Sequence, residues 1–172
     1  VERNTVPESL PITLRPARKA DLPTILELYA QPDFDDGTVL PLTEAESIFH
    51  TMHEYPDYTL HVAESDGQVI GSFALLVMHN LGHMGACSAI VEEVVVHPAL
   101  QGKGVGRAMM QRAMDLARDK GCYKLVLSSN VKRERAHRFY ERLGFRQQGF
   151  AFWVPLSDED VGERNGGPDE RP

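Results

Sequence analysis

Two glutamates stand side by side inside an otherwise apolar run, Ile90-Val91-Glu92-Glu93-Val94-Val95-Val96. A carboxylate held among apolar neighbours favours its neutral form and so gains the proton affinity a general base needs near neutral pH. Side chains alternate across a strand, so Glu92 and Glu93 are expected on opposite sides, one toward a helix layer or the protein surface and one toward a substrate cleft. A salt bridge to an arginine of a neighbouring helix is the alternative use for either. Shortly downstream the chain reads Gln101-Gly102-Lys103-Gly104-Val105-Gly106-Arg107. Glycines there let the backbone approach a ligand and turn several N–H groups toward one point, and the helix that follows adds the positive end of its dipole. Lys103 and Arg107 bring charge to the rim. The segment suits a pyrophosphate; its other reading is a tight turn with no ligand. It is not a Walker loop, since no Gly-Lys-Ser/Thr follows, and it lacks the glycine spacing of dinucleotide folds. His79 and His83 would need a third metal ligand, none is evident, and no metal is expected; lining an acceptor entrance is their other use. Cys87 has no identifiable base beside it.

Elements must position these groups. A short strand is expected over residues 12–14. Asp21 as cap and Pro23 in the first turn start a helix carrying Ile25, Leu26 and Tyr29. Residues 31–41 form a loop with Asp33, Asp35 and Asp36. Thr43, with Glu46 three residues on, reads as a capping box for a helix over 43–54, whose apolar stripe is Ala45, Ile48, Phe49 and Met52. The period then changes to two. Strands over 58–64 and 69–78 flank Ser65-Asp66-Gly67-Gln68, a hairpin turn, and a strand over 89–97 stops at Pro98. A helix over 104–120 presents Val105, Met109, Ala113, Leu116 and Ala117 on one face, with Gly121 just past its end. A strand buried on both faces over 124–128, a helix over 133–143 ended by Gly144, and a strand over 148–154 complete the order. Residues 1–11 read as a flexible arm and 156–172 as a disordered acidic tail, which leaves a single domain over 12–155. The class is α+β, a mixed central sheet of about six to seven strands with helices on both faces.

Composition narrows the function. The chain has 172 residues, 42% hydrophobic and 25% charged, which suits one globular domain. Its longest apolar run, near residues 73–78, falls far short of the ~18 residues that cross a bilayer, so no membrane partner is expected. The two cysteines are too few for a disulfide scaffold and suit a reducing cytoplasm. The net charge of −7 hides a partition: residues 1–100 carry −11, residues 101–146 carry +8 and the remainder −4. A basic block of this kind is either a pair of solvated helix faces or a site for a polyanion, and the acidic flanks argue against nucleic acid.

The segment Gln101-x-x-Gly104-x-Gly106, after a strand ending Val94-Val95-Val96-His97-Pro98, resembles the acetyl-CoA signature of the GCN5-related N-acetyltransferase (GNAT) superfamily. Ala136-His137-Arg138-Phe139-Tyr140-Glu141-Arg142-Leu143-Gly144-Phe145 resembles its second signature, and the element order over 12–154 matches that fold. The resemblance implies acetyl-CoA as co-substrate, with the pyrophosphate on Gln101, Gly102, Lys103, Gly104, Val105, Gly106 and Arg107. It also implies a strand that splays at Val94, Val95 and Val96, whose free backbone groups hold the pantetheine and thioester and stabilise the developing oxyanion. Similar acid pairs in polyamine acetyltransferases favour Glu92 over Glu93 as base. Tyr140, on one helix face with Ala136, matches the tyrosine that protonates the departing thiolate, while Phe139 packs in the core. The second signature usually has an asparagine where Arg133 stands; here Asn130, one turn earlier, is taken as the cofactor contact.

Within the superfamily, Ser129-Asn130-Val131-Lys132-Arg133 followed by Ala136-His137-Arg138-Phe139-Tyr140 is similar to aminoalkylphosphonate N-acetyltransferases. Gly121-Cys122-Tyr123-Lys124 is similar to glucosamine-phosphate N-acetyltransferases. Both likenesses fall in the cofactor half. The loop with Asp33, Asp35 and Asp36 borders the acceptor cleft in this superfamily, and an acidic rim attracts a cationic amine. Direct transfer of acetyl to the primary amine of a small molecule is therefore expected. A protein or peptide N-acetyltransferase and a non-catalytic acyl-CoA-binding module are the alternatives, the last disfavoured by a strand carboxylate and Tyr140 in one chain. A homodimer is compatible with the resemblance, although no residue fixes an interface.

Overall fold

Asp66 and Gly67 both take left-handed backbone angles, φ 50° and 75°, as a two-residue hairpin turn requires. In the computed structural model of the chain, which describes residues 10–32, 34–152, 154 and 156, this turn joins β2 (Tyr58–Ser65) to β3 (Gln68–Met78). On one side β1 (Thr13–Pro16) pairs antiparallel with β2. On the other, β4 (Ser88–Val96) pairs antiparallel with β3, and β5 (Leu125–Val126) parallel with β4. The result is a mixed five-stranded sheet in the order β1-β2-β3-β4-β5. The helices are α1 (Leu22–Tyr29), α2 (Leu42–Glu54), α3 (Val105–Asp119) and α4 (Glu134–Arg142). The chain divides into two compact units, one ending at Leu127 with the sheet and α1 to α3, the other beginning at Ser128 with α4.

Helices cover both faces of the sheet. Leu22 and Ile25 of α1 and Phe49 of α2 pack with Leu60, Val62 and Ala74 of the sheet. The alternate residues face α3, which comes so close that a Cβ at Gly71 would lie 2.9 Å from Met109 Sδ. Val105, Met109, Met110 and Ala113 of α3 are fully buried, and removal of this apolar surface from water is the main force holding the helix to the sheet. On the same face His61, buried and stacked on Phe73 at 4.9 Å, has its pKa lowered by desolvation.

Several elements depart from the sequence expectation. Among the described residues the sheet has five strands, and those of 148–154 form none. Gly149 takes φ 99°, and Phe150 and Phe152 are 85% and 92% exposed, so their alternation has no ladder to join. The strand expected over 124–128 is two residues long and only part-buried, as the terminal strand of the sheet. No capping box forms at Thr43. The fixed φ of Pro41 starts α2 at Leu42, and Glu46 instead pairs with Lys19 at 3.0 Å. Ile48, assigned to the apolar stripe, is 51% exposed. Nor does the Asp21 side chain cap α1. It accepts from both terminal nitrogens of Arg15, at 2.7 and 2.9 Å, and from the Arg18 N–H at 2.7 Å. Arg15 also reaches Glu64 at 2.6 Å, tying the start of α1 to β1 and β2, and it holds the Asp21 carboxyl below its ordinary range.

Cys87 and Cys122 are free thiols with sulfurs 3.1 Å apart. Burial, followed by the contact with Cys87, pushes Cys122 up to about 11. Among the described residues no helix is long and apolar enough to cross a membrane. The arm to residue 9, Asp33 and nearly all of the acidic tail lie outside the described residues.

Candidate active site

The β3–β4 ladder loses its regular register at the two glutamates. Val95 faces Ser72 and Glu92 faces Ala74, so three steps along β4 oppose two along β3. The extra residue is absorbed at Glu93, which takes φ 55°, a β-bulge that breaks the alternation. Glu92 shares the face of Ala74, which packs with α1 and α2. Strict alternation would send Glu93 to the α3 side. Instead it accepts a hydrogen bond from the Tyr29 hydroxyl of α1 at 3.1 Å. The expected opposite orientation is therefore overturned, and both exposed carboxylates serve the α1/α2 face. Among the described residues neither forms a salt bridge with an arginine or a lysine.

The electrostatics follow from this crowding. Partial burial, and then the charge of Glu93, hold the Glu92 carboxyl above its ordinary range. Tyr58 of β2 is raised by burial, then by Glu93 and by Glu92. The Tyr29 phenol is pushed far above its ordinary value, by burial first and by Glu93 second, and so remains a neutral donor. Ser72, fully buried, opposes that rise, yet its hydroxyl makes no hydrogen bond of ordinary geometry. From the sequence Tyr29 reads only as part of a helix stripe. Its one sequence signal is a polar-tipped aromatic at the end of an apolar helix face.

Beyond Ile90, β4 has no partner on its β5 side among the described residues, because β5 pairs only with Ala89 and Ile90. Val94 and Val96 are part-buried and Val95 is buried. The Val96 carbonyl accepts from the side-chain amides of Gln31, at 3.2 Å, and Gln101, at 3.4 Å. In the loop that follows, Gly102 and Gly104 take φ 78° and 91°, with no protein atom within 4 Å of where a Cβ would sit. Gly104 is the N-cap of α3 and supplies no side-chain acceptor. The N–H groups of Val105, Gly106 and Arg107 therefore have no partner within the helix. Lys103 and Arg107 are exposed beside them, while the Val105 side chain is buried. Unclaimed N–H donors, two cations and open space fit a pyrophosphate group.

In the second unit Asn130 builds the turn into α4. Its Oδ1 accepts from the Lys132 N–H and its carbonyl from the Arg133 N–H, each at 2.9 Å, and the same carbonyl meets His137 Nε2 at 2.9 Å. Tyr140 is half-buried, with ring contacts to Phe139 at 5.1 Å and Phe145 at 5.7 Å. In the first unit the Asp35 N–H donates to the Tyr29 carbonyl at 3.0 Å, which brings the acidic loop beside the tyrosine that holds Glu93. His79 and His83 go to separate partners, Asp57 at 3.7 Å and the Tyr123 ring at 4.6 Å. A shallow cleft lined by Thr24, Glu27, Gln31, His97 and Pro98 holds none of the expected catalytic residues.

The chain is 38% identical over 80 residues to a glucosamine 6-phosphate N-acetyltransferase of Trypanosoma brucei brucei, covering 46% of this chain and 52% of that one. It is 35% identical over 101 residues to an aminoalkylphosphonate N-acetyltransferase of Salmonella typhimurium, covering 59% and 65%. The matches thus span about half to two thirds of these relatives' length. A solved Trypanosoma brucei acetyltransferase superposes with a TM-score of 0.73 at 28% identity, covering 85% of this chain and all of that one. With residues 22–145 matching its sequence pattern, the chain belongs to the acetyltransferase (GNAT) family.

Proposed function

We propose that this chain is an acetyl-CoA-dependent N-acetyltransferase that moves acetyl directly to the primary amine of a small, cationic molecule. The observation that carries the reading is the pair of carboxylates brought to one face by the bulge at Glu93, with no lysine or arginine among the described residues paired to either. Acetyl-CoA, when bound, supplies the activated acetyl thioester. Gln101, Gly102, Lys103, Gly104, Val105, Gly106 and Arg107 hold its pyrophosphate, and the family resemblance adds Asn130 as a further contact. Glu92, made more basic by burial and by Glu93, takes the proton from the acceptor ammonium. Backbone groups of Val94, Val95 and Val96 on the open edge of β4 hold the thioester and stabilise the oxyanion as the C–N bond forms. Tyr140, by resemblance, returns a proton to sulfur as the C–S bond breaks.

The acceptor class rests on charge. The named relatives act on amines that also carry phosphate or phosphonate. Here Glu92, Glu93 and the neighbouring loop of Asp35 and Asp36 favour an acceptor with positive charge around its nitrogen. Thiol release from acetyl-CoA should be measured against diamines, amino sugars, aminoalkylphosphonates, amino acids and peptides. Cationic amines are expected to turn over fastest. Equal rates with an aminoalkylphosphonate would remove the charge argument. Turnover of peptides alone would point to a protein acetyltransferase, and coenzyme binding without turnover to a binding module.

A further inference from the structure

We propose that Tyr29 is a positioning residue for acetyl transfer: its phenol holds the Glu93 carboxylate in the bulge of β4, beside the base Glu92. The inference rests on the reading of Glu92 as base and adds to it a residue of α1. A glutamate in the left-handed region is unfavourable because its Cβ crowds the following carbonyl, so the conformation persists only where neighbouring contacts hold it. Glu93 sits there at φ 55°, and its Oε2 accepts the Tyr29 hydroxyl at 3.1 Å. The tyrosine is itself fixed. Its ring stacks on Phe34 at 4.7 Å with the planes 4° apart, and its carbonyl accepts the Asp35 N–H at 3.0 Å. A second tie runs in parallel, since Gln31 reaches the Val96 carbonyl at 3.2 Å. The end of α1 is therefore bonded to β4 at two points, just before the proposed oxyanion-binding segment and at its last residue.

The chemistry of the donor matters. A lysine or arginine at this place would neutralise Glu93, whereas a phenol orients the carboxylate and leaves its negative charge in place. That charge then acts on Glu92. The titratable groups facing the pair are Tyr29 from α1 and Tyr58 from β2, with the hydroxyl of Ser72 from β3 beside Tyr29. Both phenols stay neutral in the working range, so the raised Glu92 sets the pH response of the cluster. Without the phenol, Glu93 is free to swing away from Glu92, and its charge no longer raises the proton affinity of Glu92.

The test is the pH profile of kcat/KM, with the best amine of the panel, for wild type, Tyr29→Phe, Glu93→Gln and the double variant. Tyr29→Phe keeps the ring and its stacking on Phe34. Loss of one hydrogen bond to a charged group predicts a fall of about tenfold at neutral pH. It also predicts an acid limb displaced to lower pH, in the same direction as in Glu93→Gln, and a double variant no worse than Glu93→Gln alone. A merely structural tyrosine would lower the melting temperature without moving the limb. An unmoved limb in Tyr29→Phe, or penalties that multiply in the double variant, would overturn the role of Tyr29 while leaving the acetyltransferase reading intact. A wild type that acetylates no amine would overturn that reading itself, and the role of Tyr29 with it.

Discussion

Glu92 draws its basicity from two sources, partial burial first and the adjacent negative charge of Glu93 second. Only the ionised carboxylate accepts a proton, so kcat/KM falls as the pH drops through the raised value. The acid limb of the rate profile is therefore expected above the ordinary 4.5 of a glutamate. A limb at or below that value would show that Glu92 is solvated like any surface carboxylate. At this scale the sequence was half legible. Two glutamates in an apolar run announce themselves, because no other account of them is cheap. Their shared face does not. It depends on one backbone angle at Glu93, and glutamate carries none of the left-handed preference that glycine or asparagine would advertise. Tyr29 was hidden for a related reason: a tyrosine on an apolar helix face looks like core until its hydroxyl is located.

The loop before α3 shows the opposite case, in which local chemistry fixes the element. Gly102 and Gly104 are required by positive φ alone, with no crowding, and such positions can be read from composition. Gly104→Ala is expected to keep the fold at a cost of about 1–2 kcal/mol, the usual penalty for a Cβ in the left-handed region. It should also turn the first N–H groups of α3 away from their common point. Coenzyme affinity should then fall about tenfold, as loss of roughly one charge-assisted hydrogen bond implies, and a thermal-shift titration would read it. Unchanged affinity would place the pyrophosphate elsewhere. The elements that differ from the sequence expectation are those that depend on distant partners. Thr43 and Glu46 have the right spacing for a cap, but Pro41 sets the helix start and Lys19 takes the glutamate. Residues 148–154 alternate correctly, yet a strand also needs an edge to pair with, and side-chain pattern alone does not supply one.

Across the whole molecule charge is sorted along the chain, −11 in residues 1–100 and +8 in residues 101–146. This partition was plain in the sequence, as was the family, because both signatures are short local strings. What it could not convey is how the acidic half uses its charge. Asp21 and Glu64 are spent on Arg15 and Asp57 on Lys120. Glu92 and Glu93, like Asp35 and Asp36, keep theirs without an ion pair among the described residues, and these are the charges the proposed cationic acceptor would meet. The most direct test compares thiol release from acetyl-CoA by wild type and Glu92→Gln with the same small cationic amine, alongside coenzyme affinity for both. We expect turnover by wild type, a loss of about 10²-fold or more in Glu92→Gln, and unchanged coenzyme binding. Equal rates in the two proteins would contradict the account, because transfer would then proceed without the carboxylate on which it is built.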